Sequence, residues 1–236
     1  MKRVFRLVSQ KYHSLHYKYR SISIIQIIAI ARYIQFCVQI LLQSQNIANI
    51  LTMSDRGYQI RNQYAVHFIT CSVVEWVDVF SRKMYADILI GSLKFCQDNK
   101  GLNIHAWCIM SNHIHLIIST NGITKLSDVI RDFKKFSSIA IVNAIRENPQ
   151  ESRKNWMLWI FKKAGEYNKR NKTYQFWQQD NHPVECSTEE IVKSRMIYLH
   201  ENPVRAGIVR FEQDYLYSSG IDYYGNGKGL IDIVYI

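Results

Sequence analysis

The triplet His113-Ile114-His115 is where residue type and spacing most directly suggest chemistry in this 236-residue chain. Residues i and i+2 of a strand share a face, so two imidazoles can stand side by side while Ile114 packs on the opposite side. Such a pair can hold a divalent ion. The same spacing also fits two polar residues on a solvated strand. The apolar run Leu116-Ile117-Ile118 follows directly, which puts the histidines at the end of a buried strand and not on a loop. A second constellation is Tyr198 and Asn202, four residues apart and therefore on one face of a helix. A phenol can act as a nucleophile, and an asparagine carbonyl can ligate a metal. Core packing of the ring is the competing use of Tyr198, as for most of the fifteen tyrosines.

These groups need elements to hold them. Ala65 to Val74 is β-branched and aromatic and predicts a buried strand. Ser81 can cap a helix running to about Asn99, and Gly101 stands where a left-handed residue ends one. Leu102 to Met110 and His113 to Thr120 predict two strands joined by a Ser111-Asn112 turn. From Leu126 a helix turns Val129, Ile130, Phe133, Phe136 and Ala140 inward, leaving Arg131, Lys134 and Lys135 as an exposed ridge. Asn148-Pro149 breaks it, and Glu151 to Ala164 forms a second amphipathic segment. A basic loop (165–173) and a short aromatic strand (Tyr174 to Gln178) follow. Ser187 with Glu190 has the form of a capping box for a helix from about Thr188 to Glu201, stopped by Pro203. The order β-α-β-β-α, then further elements, predicts an α+β fold.

Composition bounds the rest. With 47% hydrophobic residues, ten glycines and three prolines, the chain is neither disordered nor fibrous. Five scattered cysteines form no CxxC pair, which disfavours a disulfide framework or zinc finger and fits a reducing cytoplasm. The 30 Lys and Arg against 19 Asp and Glu leave a net charge of +11, pointing to a polyanion such as nucleic acid. Seven of those cations and no acid fall in residues 1–52, an Ile/Gln-rich extension that reads as accessory or as translated upstream sequence. Residues 53–236 then form the main domain. The apolar run Ile22 to Leu42 is not expected to span a membrane, because a central Arg32 costs about 3 kcal/mol there.

Taken together, Ile109-Met110-Ser111-Asn112-His113-Ile114-His115-Leu116-Ile117, Phe176-Trp177-Gln178-Gln179 and Tyr198-Leu199-His200-Glu201-Asn202-Pro203-Val204-Arg205-Ala206-Gly207 resemble the REP-associated tyrosine transposases. These are single-tyrosine members of the HUH superfamily of single-strand endonucleases. The resemblance spans roughly residues 58–222. It implies a ferredoxin-like antiparallel sheet with helices packed on one face and a C-terminal nucleophile helix. It also implies that His113 and His115 bind Mg²⁺ or Mn²⁺, with Asn202, where related enzymes carry Gln, as third ligand. Tyr198 would then be the nucleophile, leaving a 5′-phosphotyrosine bond and a free 3′-OH on hairpin-associated single-stranded DNA.

A phenol ionises only near pH 10, so a nearby cation would help it attack. Arg131, Lys134, Lys135, Lys162, Lys163, Lys169, Arg170, Lys172 and Arg205 are candidate contacts for the DNA backbone or an ordinary solvated basic face, and Phe176 and Trp177 either stack unpaired bases or pack in the core. His105 reads as structural, while His182 and His200 are candidates for contact with phosphate or with the groups around the metal, the structural use of an isolated histidine being the alternative. The expected protein is cytoplasmic, nucleoid-associated, and a monomer or homodimer. Two other readings compete: a DNA-binding protein of the same fold without cleavage, and a metallohydrolase using water, for which Tyr198 is dispensable.

Overall fold

A computed structural model of the chain describes residues 60–166 and 173–236. The expectations for residues 1–52, and for Lys169, Arg170 and Lys172, concern residues outside these.

The β-branched runs fold as β1 (His67–Ser72), β2 (Leu102–Ile109) and β3 (His113–Thr120). Helix α1 (Lys83–Lys100) links β1 to β2, and α2 (Leu126–Glu147) follows β3. Helix α3 (Lys154–Glu166), the two-residue strand β4 (Val184–Glu185), helix α4 (Glu189–Arg205) and the short α5 (Gly220–Tyr224) complete the order. The strands pair antiparallel in the order β2-β3-β1-β4.

Alternation along β3 sorts its side chains to two cores. Ile114, Leu116 and Ile118 join Ile69, Cys71 and Trp107 in the core shared with α1 and α2. Ile117 faces the other way, with Phe68, Ala106, Cys108 and Leu199 of α4. Because both faces are covered, the strand reads as an almost unbroken apolar run. Each fully buried Ile or Leu there contributes about 1.5–3 kcal/mol. His113 and His115 therefore belong to the α4 face. The sheet's outer edge at β2 is covered by the C-terminal segment, where Ile109 N–H bonds the Tyr217 carbonyl and Val234 N–H that of Ile104.

Several local expectations change. Ser81 is not the cap of α1: two 3₁₀ turns (Val74–Trp76 and Val79–Ser81) intervene, and its hydroxyl donates to the Asp78 carbonyl at 2.7 Å. Gly101 does end α1 in the left-handed conformation, φ 66°. Thr188, not Ser187, caps α4, its hydroxyl accepting from Ile191 N–H at 3.4 Å. Phe136 is 59% exposed, not inward, and stacks on Phe95. Tyr174 to Gln178 makes a single bridge, Trp177 to Val73, and runs irregularly along the free edge of β1.

Pro203 does not stop α4, which continues to Arg205. A proline inside a helix removes one bond and crowds the preceding turn. Here Asn202 Nδ2 and Arg205 Nη2 both donate to the Tyr198 carbonyl, at 2.8 and 2.9 Å, and hold that turn together.

Candidate active site

The strand and helix registers bring three of the candidate residues into one cluster. The imidazoles of His113 and His115 lie 4.7 Å apart between centroids, inclined at 73°. The Tyr198 ring approaches His115 edge-on at 5.4 Å, reaching it from α4 across the sheet face. Phe68 on β1 supports both, stacked on His115 at 5.3 Å and edge-on to Tyr198 at 6.0 Å. Arg205, one helical turn beyond Asn202, holds its guanidinium 4.7 Å from the centre of the Tyr198 ring and pairs with Glu201 at 3.2 Å.

Each histidine is fixed through Nδ1. His113 Nδ1 meets Asn112 Oδ1 at 2.6 Å, and His115 Nδ1 meets Thr70 Oγ1 at 2.8 Å. The Asn112 amide is itself oriented, because its nitrogen donates to the Trp76 carbonyl at 3.2 Å. With Oδ1 facing His113, Nδ1 of that ring must carry the proton and Nε2 the lone pair. On His115, Nε2 is buried without a hydrogen-bond partner. An orphaned buried imidazole nitrogen is a disfavoured arrangement unless something ligates it, so the pair fits a cation. Burial pulls the His115 imidazole down to about 3, with the charges of His113 and Arg205 acting in the same direction. Burial lowers the His113 pKa as well, so the neutral form, the one that ligates, is favoured at both histidines.

Among the described residues, no group of three or more His, Cys, Asp or Glu is placed to hold a metal. Any third protein ligand at the histidines has to be of another type. Asn202 stands on the Tyr198 face of α4, its amide nitrogen turned back onto the Tyr198 carbonyl, so Oδ1 is the amide atom not used in that bond.

The sequence profile of the family described as IS200-like transposase matches residues 61–162. The match covers 102 of the chain's 236 residues and marks a similarity to that family. The match includes both histidines and ends before α4, so Tyr198, with Arg205 over its ring, reaches the cluster from outside it. No curated protein shows significant sequence similarity to the chain. Among solved structures, a REP-associated tyrosine transposase bound to a REP hairpin is similar with a TM-score of 0.48 and 19% identity, over 70% of this chain and 80% of that one.

The expected DNA contacts are unevenly placed. Arg131, Lys134, Lys135 and Trp177 border one groove of about 760 Å³ between α2 and residues 174–183, on the sheet face away from the histidines. Their side chains differ in what they can do. Lys135 is exposed. Arg131 is engaged by Asp128 and Asp132 at 2.6 and 3.0 Å. Lys134 donates to the Gln178 carbonyl at 2.7 Å and to Asn181 Oδ1 at 2.5 Å, so it braces the fold rather than presenting a free cation. Trp177 is 5% exposed, and its indole N–H is bonded to Ser137 at 3.1 Å. Neither it nor the buried Phe176 offers a face to a base, because both fill the core beside Phe80 and Phe133.

Arg205 is likewise committed to Tyr198 and Glu201. His200 is fully buried and bonds Ser219 Oγ at 2.7 Å, so it contacts no phosphate. His105 is the extra residue at the β2 register shift, and its ring joins Ser119 Oγ to the Val234 carbonyl. Thr70 and Asn112 are the supporting residues that spacing did not single out. A hydroxyl paired across the strands with His115, and an amide directly before His113, were the available signals.

Proposed function

We propose that this protein is a transposase that cuts and rejoins hairpin-associated single-stranded DNA through a 5′-phosphotyrosine intermediate, with a divalent metal, in DNA transposition. The observation that carries the reading is the meeting of Tyr198 with the His113–His115 pair across 83 residues of sequence. Core packing does not account for Tyr198, whose side chain is 40% exposed. The hairpin-associated strand is what the sequence motifs imply.

His113, His115 and Asn202 would hold Mg²⁺ or Mn²⁺, and the ion would polarise the phosphate and offset charge developing on it. Tyr198 Oη forms a bond to phosphorus while the P–O3′ bond breaks. The phenol proton passes to solvent, and the leaving 3′-oxygen takes one up. Phe68 and Arg205 hold the ring between them, so little freedom is lost on reaching the attacking geometry. The covalent ester conserves the energy of the cut bond, and a 3′-OH from another strand reverses the step without ATP.

The test is a cleavage assay on labelled single-stranded hairpin oligonucleotides with Mn²⁺ or EDTA, comparing wild type with Tyr198→Phe. A metal-dependent protein–DNA band that vanishes in the variant is expected. Cleavage that survives the substitution identifies water as nucleophile, and binding without any cleavage identifies a DNA-binding protein.

A further inference from the structure

Trp76 occupies an unusual position. It is 58% exposed, and its ring stands 6.1 Å from His113, edge-on at 78°. It lies in a 3₁₀ turn in which two consecutive non-glycine residues are left-handed, Glu75 at φ 50° and Trp76 at φ 53°. That conformation is unfavourable for bulky side chains and persists only when the surroundings impose it. The imposing contacts are visible. Val74 and Val77 are buried on either side, Trp76 N–H bonds the Val73 carbonyl at 3.1 Å, and Asn112 Nδ2 bonds the Trp76 carbonyl.

Core formation does not explain this arrangement, since the buried anchors are the valines and the indole is what the turn pushes into solvent. The Asn112 amide that fixes the turn also fixes His113, so ring and imidazole are held by one side chain. The neighbouring residue is Glu75, so the turn offers an aromatic face and not a phosphate-binding cation.

We propose that Trp76 is a stacking platform for an unpaired base of single-stranded DNA beside the histidine–tyrosine cluster. This rests on the nuclease reading above and extends it to how the strand is held. A base whose phosphate lies at His113 reaches about as far as the indole does. Stacking of this kind tolerates any base, because every base has a π face.

The test measures binding of fluorescently labelled oligo-dT, and of an abasic oligomer of equal length, to the full chain by anisotropy at low salt. Wild type should prefer oligo-dT. Trp76→Ala should weaken oligo-dT binding about 5-fold to 100-fold and leave the abasic oligomer unchanged, with Trp76→Phe recovering most of the loss. The proposal is overturned if wild type does not distinguish the two oligomers, or if Trp76→Ala weakens both alike or neither. The nuclease reading fails separately. Absence of Tyr198-dependent cleavage, with the oligo-dT preference intact, removes the nuclease and leaves the platform.

Discussion

Thr70→Val tests whether the support beneath the histidines matters for metal binding. Thr70 sits on β1 opposite His115 on β3, and its Oγ1 is 2.8 Å from His115 Nδ1. Valine keeps the shape, the strand preference and the Thr70 N–H bond to the Asn181 carbonyl, and deletes only the hydroxyl. His115 is 4% exposed, so water does not replace the lost partner. A buried imidazole N–H left unpaired costs about 1–3 kcal/mol.

The metal consequence follows from tautomers. A metal at Nε2 requires the proton on Nδ1, and the Thr70 hydroxyl is placed to accept it and hold that tautomer. Without that hydroxyl the ring is free to protonate at Nε2 and to rotate. Loss of such a partner lowers metal affinity about 10–100-fold in comparable sites. Titration of Mn²⁺ by calorimetry is the direct readout, with Thr70→Ser as the control that restores the hydroxyl. Thr70→Val with wild-type Mn²⁺ affinity would refute the argument, as would a Thr70→Ser protein that behaves like Thr70→Val.

Two further outcomes follow from burial and backbone. His200 has its pKa lowered from the ordinary 6.5 to about 4 by burial, so the unfolded chain binds a proton between these values that the folded chain does not. Stability should therefore fall by about 3 kcal/mol as pH drops from 6.5 to 4, and urea denaturation of His200→Gln should show a shallower decline over that window. Glu75 is exposed and left-handed, so Glu75→Gly should relieve backbone strain and stabilise the fold by about 0.5–1 kcal/mol, raising Tm by about 1–4 °C; an unchanged or lower Tm would show that the turn is unstrained.

What the sequence made legible were features written in local pattern. The His-x-His pair reads from a period of two, and β3 delivers it to one face. Gly101 at the end of α1 reads from its lack of a Cβ. The misread elements depend on long-range partners. Pro203 looks like a stop until Asn202 and Arg205 are seen holding the turn before it. Trp177 fits stacking or core packing equally until Ser137 and Phe133 are found around it. Trp76 stayed hidden because its exposure comes from a left-handed turn between valines, which no simple periodicity signals. β4 is only two residues long and carries no pattern of its own.

Lys134 shows how the two faces of the sheet are joined. A cation withdrawn from water must recover its lost hydration, and Lys134 does so with oxygens of residues 178–181 and not with a carboxylate. Burial lowers its pKa, which indicates that the withdrawal from water outweighs the attraction of Asp180. The segment it grips runs along the edge of β1, where the Asn181 carbonyl accepts from Thr70 N–H at 3.0 Å. Thr70 in turn holds His115. The bonds Lys134 to Asn181, Asn181 to Thr70 and Thr70 to His115 thus form a continuous path from the groove on α2 to the imidazole on the opposite face. A residue read from sequence as a contact for DNA phosphate is better understood as part of what keeps the histidine pair in place, and of Arg131, Lys134 and Lys135 it is Lys135 whose exposure suits the expected phosphate contact.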